Sequence, residues 1–425
     1  MDEYRRCSEE LLKFIEKCPT GFHAVAVLKE ELEAEGFQEL RETEQWKPEC
    51  GKGYFVTRND SSLIAFRIPS QEPKGFHIVA SHCDSPAFKI KEEPEMTVEN
   101  TYVKLNTERY GGMILYSWLD RALSVAGRVV VRDGDELETR LVNLEETLVI
   151  PSVAIHLNRD GNKGMEFNPQ VDMLPLYGNR GMEDCCLTER VAEALGVMEE
   201  DILGHDLFLY VKEKGRFYGE NDVFLFSPRL DDLQCVYASS KAFMNSVPEK
   251  YINVCGVFDN EEVGSGTKQG ADSTFLEDVL WRVGEGLEWG REEYLRMIAD
   301  SFLISADNAH GVPPNHPEKA DPTNRPYLNN GIVIKFHGSQ RYATDAVSAA
   351  RMKMICEKAQ VPWQTYANRS DIQGGSTLGN ISTAHVSVSS VDIGMPQLAM
   401  HSAMETAGAK DTKYAEDAFA VFYKE

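Results

Sequence analysis

Residues 251–266 read YINVCGVFDNEEVGSG. The apolar run Ile252–Phe258 predicts a buried strand. Just past it stand two adjacent carboxylates, Glu261 and Glu262, followed by a Gly-Ser-Gly turn. Burying charge is expensive without a partner, and a cation is the simplest partner. Adjacent acids can also divide the work, one ligating a metal while the other handles a proton. An isolated Glu-Glu pair is more often a solvated loop, since most acids sit on surfaces. The flanking sequence therefore has to weigh between the two.

Working outward, the chain alternates helix-like and strand-like patterns. Downstream, strands are expected at Phe302–Ala306, Gly331–Phe336 and Val386–Ile393, with helices at Leu230–Phe243, Ala346–Ala359 and Thr412–Tyr423. Upstream, Ser8 is a candidate cap for a helix whose stripe is Leu11, Leu12, Phe14 and Ile15. A second helix runs through Val25, Leu28 and Leu32 to Gly36. Tyr54–Arg58 and Ser62–Arg67 read as a hairpin around Asn59-Asp60, and Phe76–Ala80 as a further strand. Between about Glu92 and Glu220 the texture changes to short β-like runs such as Gly127–Val131 and Thr147–Ile150, with one helix at Glu183–Leu195. The expectation is an α/β layered domain, residues 1–91 and 227–425, interrupted by a β-rich domain at 92–226.

Composition narrows the class. The chain has 425 residues, 42% of them hydrophobic, and a formal net charge of −24. Such a charge repels the phosphate backbone of nucleic acid and gives no support for binding an anionic membrane. The opening MDEYRRCSEELLKF is charged and has no signal-peptide core, so a cytoplasmic protein is expected. Nine cysteines are scattered without a C-x-x-C pair, which argues for reduced thiols. Gly264-Ser265-Gly266 is not a phosphate loop, because no Gly-Lys-Ser/Thr follows.

Four further stretches place acids or histidines at the ends of expected elements. His82-Cys83-Asp84 follows the strand Phe76–Ala80, and in extended chain His82 and Asp84 point to one side. One can then ligate a metal while the other orients it. Asp231-Asp232 opens a helix, where acids favour the dipole in any case. Asp307 closes the strand Phe302–Ala306, and His401 follows an apolar stretch. Histidine with carboxylates suits zinc, and also cobalt or manganese. Two metals sharing one carboxylate need about five protein ligands if each keeps an open position. His82, Asp231, Glu262, Asp307 and His401 supply them, with Glu261 left as a base.

The segments ASHCDSPAFKIK (80–91), SPRLDDL (227–233), VFDNEEVGSGTKQGA (257–271) and SADNAH (305–310) resemble the aspartyl aminopeptidase family of metallopeptidases. GIVIKFHGSQRYATDA (331–346), NRSDIQGGSTLGNIS (368–382) and DIGMPQLAMHSAMETAG (392–408) extend the likeness nearly end to end. The resemblance implies a three-layer α/β/α metallopeptidase domain with an inserted β-rich dimerisation domain. It makes His82 and His401 terminal metal ligands and Asp231 the bridging carboxylate. Glu262 and Asp307 become ligands to the separate metals, Glu261 the general base and Asp84 the acid supporting His82. It implies substrate roles for His310, Lys335 and His156, the last in the inserted domain, which in the family reaches into a neighbouring subunit's site. Gly374 and Gly375 are expected to line the site, where their backbone can turn tightly. Family members assemble as dodecamers. Cys83 stands where Thr is more usual, and 311–326 departs from the eukaryotic pattern, so the preferred N-terminal residue stays open.

The expected activity is removal of the N-terminal residue from peptides by two-metal hydrolysis, most simply with zinc. The alternatives are a metal-dependent deacylase acting on small N-acyl compounds and a non-catalytic shell protein. Free-amine against N-acetylated substrates separates the first two.

Overall fold

The structure, a computed structural model, describes residues 3–180, 186–372, 374–375 and 377–425. Two units emerge. One comprises Met1–Asp84, Gly215–Met400 and Glu405–Glu425; the other comprises Ser85–Lys214 and His401–Met404.

The first unit is built on a nine-stranded sheet. Its order is Gln38–Glu39, Gly53–Arg58, Ser62–Arg67, Ile252–Phe258, Phe76–His82, Phe302–Ala306, Ser389–Gly394, Ile332–Phe336 and Trp363–Ala367. The four central strands, from Ile252–Phe258 to Ser389–Gly394, are mutually parallel. Three of them are buried along their whole length. Strands covered on both faces read as continuous apolar runs, which is why these segments carry no polar alternation. Successive residues nevertheless go to opposite faces. Val79, Cys255, Val257 and Ile304 join one core, with helices Glu3–Lys17, Gly21–Ala34, Leu230–Met244, Ala346–Ala359 and Asp411–Lys424. Ile78, Ala80, Val254 and Leu303 join another, with Phe275–Gly286, Arg291–Ala299 and Leu378–His385. This is the three-layer α/β/α arrangement. A smaller five-stranded sheet in the same unit runs Arg216–Tyr218, Phe224–Ser227, Glu405–Gly408, Pro396–Leu398, Ala309–His310.

The second unit carries a six-stranded antiparallel sheet in the order Glu136–Asn143, Leu123–Asp133, Ile202–Val211, Ala87–Val98, Tyr102–Tyr110, Leu176–Asn179.

Three local expectations change. Ser8 is no cap: it lies inside the helix Glu3–Lys17, buried, and its hydroxyl donates to the Ala409 carbonyl at 2.7 Å. Residues 147–150 make only isolated bridges, to Leu119, Leu123 and Leu176. The helix expected at 183–195 is Leu187–Leu195, and Glu183 lies outside the described residues. The eight cysteines among the described residues are free thiols.

Candidate metal centre

Parallel strands deliver their C-terminal ends to one edge of a sheet, and sites form there. His82 is the last residue of Phe76–His82. Asp307 directly follows Phe302–Ala306. Glu261 and Glu262 form a short 3-10 turn beyond Ile252–Phe258. Asp231 comes from the start of the helix Leu230–Met244, where Asp231 and Asp232 keep non-helical backbone angles and the peptide between them is cis.

His82 organises the cluster and is 1% exposed. Its Nδ1 lies 3.1 Å from the Asp84 carbonyl oxygen, so an Nδ1–H donates there and the lone pair sits on Nε2. That Nε2 faces Asp231 Oδ1 at 3.5 Å and Asp307 Oδ1 at 3.9 Å. A lone pair aimed at two carboxylates requires a cation between them or a proton on the ring. The carboxylates therefore hold the His82 imidazolium well above its usual range, against burial, which acts the other way. The donor atoms of His82, Asp231, Asp232 and Asp307 lie within 4.8 Å of one another, as do those of His82, Glu261 and Glu262. Nitrogen and carboxylate donors at this spacing fit zinc.

Asp232 belongs behind this cluster. Its Oδ2 accepts from the His82 N–H at 3.3 Å and its Oδ1 from the Asn308 N–H at 3.2 Å. One oxygen is thus engaged by His82 itself and the other by the residue after Asp307. Asp84 acts similarly. Its two oxygens accept the N–H groups of Glu261 and Glu262, each at 3.1 Å, and Oδ1 lies 3.3 Å from His82 Nδ1. Asp84 so fixes a histidine and the Glu pair together, as outer partners of metal ligands do. Asn308 donates to the Leu230 carbonyl, Gln234 and Gln397. Gln397 donates to Glu405, and Glu405 accepts the Asp231 N–H at 3.0 Å.

Burial pushes the Glu261 carboxyl up to about 7, with Asp307, Asp84 and Asp231 adding repulsion and His82 opposing it. Burial pushes Asp232 up as well, joined by Asp307 and Asp231. Lys335, 3% exposed, places Nζ 3.3 Å from Asp307 Oδ2. Burial acts to strip its proton, but Asp307, together with Tyr342, Asp392 and Cys235, outweighs burial and keeps it charged. The cluster remains richer in carboxylates than in cations, which again favours a bound metal. Cys83 turns away from it, its thiol donating to the Ser61 carbonyl at 3.2 Å, which explains how a thiol is accepted at that position.

The remaining expected residues are placed as follows. His310 is exposed and lines a cavity of about 360 Å³ together with Tyr366, Gly374, Gly375 and Gln397. His401 and His156 belong to the second unit. His401 Nδ1 lies 2.7 Å from the Gly112 carbonyl oxygen, which puts its lone pair on Nε2. His156 is exposed in the irregular segment 151–158. Sequence reading passed over Glu405, Asn308 and Gln397, whose motifs were in view but whose polar side chains gave no local sign of burial. Asp232 was visible only as the neighbour of Asp231.

A family model described as aminopeptidase I zinc metalloprotease (M18) matches residues 14–423. The chain belongs to the M18 family. This M18 chain is accordingly a metallo-aminopeptidase of a zinc metalloprotease family. It is similar to a probable M18 family aminopeptidase 2 of Clostridium novyi, 49% identical over 424 residues and covering 98% of both chains. Among solved structures, it matches that of the Ape4 and Nbr1 complex at 36% identity and a TM-score of 0.94, covering 99% of this chain and 86% of the other. It matches the S. cerevesiae mApe1 dodecamer at 26% identity and a TM-score of 0.86, covering 99% and 97%. Among the described residues, no helix is long and apolar enough to cross a membrane.

Proposed function

We propose that this M18 chain removes the N-terminal residue from peptides by two-metal hydrolysis, with Glu261 as general base. The observation that carries the reading is the His82 Nε2 facing Asp231 and Asp307 at 3.5 and 3.9 Å, with the half-buried Glu261 and Glu262 beside His82. His82 and Asp307 would hold one zinc and Glu262 the other, with Asp231 shared between them. When bound, the metals polarise the first peptide carbonyl and acidify a water. Glu261 takes the proton of the attacking water and returns it to the leaving amine. Asp84 keeps Glu261 and His82 in register through their backbone and ring N–H groups. Lys335, held charged by Asp307 and its other neighbours, offers positive charge to an acidic side chain or to the developing oxyanion. His310, Gly374 and Gly375 form a wall of the pocket for the N-terminal residue.

The second unit acts in assembly on this reading. Tyr116, Val153, Ile155, Leu157 and Val171 are 49–84% exposed, and an apolar surface of this kind marks a contact. The occupant is a second copy of the chain, as in the dodecameric relative, and His156 lies between Ile155 and Leu157 at that surface.

The test is turnover of unblocked aminoacyl-p-nitroanilides by metal-stripped protein given back zinc, cobalt or manganese. Release from free-amine substrates and none from N-acetylated ones supports the proposal. Release from Asp or Glu substrates assigns acidic specificity, and release from Leu, Met or Lys substrates discards it. Turnover of N-acetylated substrates alone would turn the reading to a deacylase. Metal binding without any turnover would turn it to an inert shell.

A further inference from the structure

Asp392 lies within the strand Ser389–Gly394 and has no exposed surface. A buried carboxylate needs donors. Its Oδ1 accepts from the Thr377 hydroxyl at 2.5 Å, and its Oδ2 from the Ala343 N–H at 2.6 Å. Its own N–H donates to Thr344 Oγ1 at 2.9 Å. These partners come from two segments well apart in sequence. One, 341–344, follows the strand Ile332–Phe336; the other ends at Thr377, just before the helix Leu378–His385. The approach is close. A Cβ on Gly379 would fall 2.4 Å from Asp392 Oδ1, so the first turn of that helix can rest on the carboxylate only because residue 379 is glycine. Arg341 joins the same two segments a second time, donating to the Gly374 carbonyl at 3.0 Å.

Both segments adjoin the site. The ring of Tyr342, next to Ala343, lies under Lys335 Nζ at 5.6 Å and 6.5 Å from the Tyr366 ring. Tyr366 packs edge-on to His310 at 6.0 Å. Tyr366, His310, Gly374 and Gly375 all line the 360 Å³ cavity.

We propose that Asp392 is a positioning residue that sets the shape of the pocket for the substrate's N-terminal side chain, by binding the Tyr342 loop and the Gly374 segment to one strand. This deepens the aminopeptidase reading above and rests on it. Asp392 acts through Tyr342, Gly374 and Gly375 rather than on the reacting atoms.

Asp392→Asn and Thr377→Val test this, the second removing one hydroxyl while leaving the strand untouched. On the p-nitroanilide panel, each should raise KM for the preferred residue about tenfold and flatten the preference among residues by a similar factor. kcat should stay within about threefold and the metal content should not change. Hydrogen–deuterium exchange, which does not depend on activity, should rise in peptides covering 341–344 and 374–378 and stay unchanged at 82–84 and 231–233. An equal loss across all substrates with preference intact, or loss of metal, would overturn the proposal. So would unchanged exchange in the two segments. If the unmodified chain turns over none of the panel while exchange still rises at those segments, the aminopeptidase reading fails and the link through Asp392 stands.

Discussion

Glu261 has to be dry enough to keep a useful basicity and yet near enough to a water to use it. Burial pushes its carboxyl up to about 7 in the metal-free chain. Adjacent cations favour the ionised form, so the acidic limb of kcat/KM in the zinc-loaded enzyme is expected below pH 7. Below that limb Glu261 is protonated and cannot act as base. Glu261→Gln should leave two metals bound and lower kcat about 10²–10⁴-fold, read by metal analysis beside steady-state kinetics; near-normal turnover would remove Glu261 from the role of base. Asp232 makes a different prediction. Both its oxygens accept backbone N–H groups, and an amide can offer only one acceptor. Asp232→Asn should cost about 1–3 kcal/mol in denaturant unfolding and weaken zinc about 10–100-fold. At this scale the sequence was readable where a polar residue ended an apolar strand, as at His82, Glu262 and Asp307. It was silent on Glu405 and Gln397, because their burial is created by the small sheet that brings Glu405–Gly408 beside Pro396–Leu398.

Two helix starts respond to pH with opposite signs. Asp345 caps the helix Ala346–Ala359 in a capping box with Ser348. The backbone N–H of Ser348 lowers its carboxyl below the usual carboxylate range. Its contribution is therefore present above about pH 4 and lost as pH falls through the lowered value. Asp345→Ala should cost about 1 kcal/mol at pH 7, less at pH 3, and leave turnover unchanged. Asp411 begins the helix Asp411–Lys424 without any exposed surface. Burial pushes it up to about 7, although it accepts the N–H groups of Asn329 and Gly331. Its contribution is full below about pH 4 and lost as pH rises through 7. The urea midpoint of Asp411→Asn should fall less between pH 5 and pH 8 than that of the unmodified chain; parallel curves would refute the assignment. Elements of this size were the most legible in sequence, since apolar runs mark doubly covered strands. The short strands were not: Ala309–His310 and Pro396–Leu398 have too few residues to show a period, and tertiary pairing alone makes them strands.

For the whole molecule, the carboxylate-rich centre couples folding to metal. Stripping zinc should lower the thermal midpoint, and adding it back should restore it in proportion to the logarithm of free metal. Failure of any metal to shift the midpoint would argue against a site preformed by the fold. Assembly has its own expectation. Leu157 is 84% exposed on the second unit, and Leu157→Asp should shift the particle towards smaller species in light scattering; an unchanged mass would place the contact elsewhere. The order of strands in the large sheet carries one more consequence, which concerns time. Phe76–His82 is flanked by Ile252–Phe258 and Phe302–Ala306, and neither neighbour has left the ribosome when it emerges. Roughly 170 residues separate it from the nearer one, a wait on the order of ten to thirty seconds during synthesis. For that interval an apolar strand has both edges unpaired, the condition in which nascent chains aggregate. The six strands of the second unit all lie between residues 87 and 211, so they can close on one another meanwhile. The nascent chain thus closes the six-stranded sheet of its second unit first, and the stretch ending in His82 stays unpaired until the DNEE segment arrives.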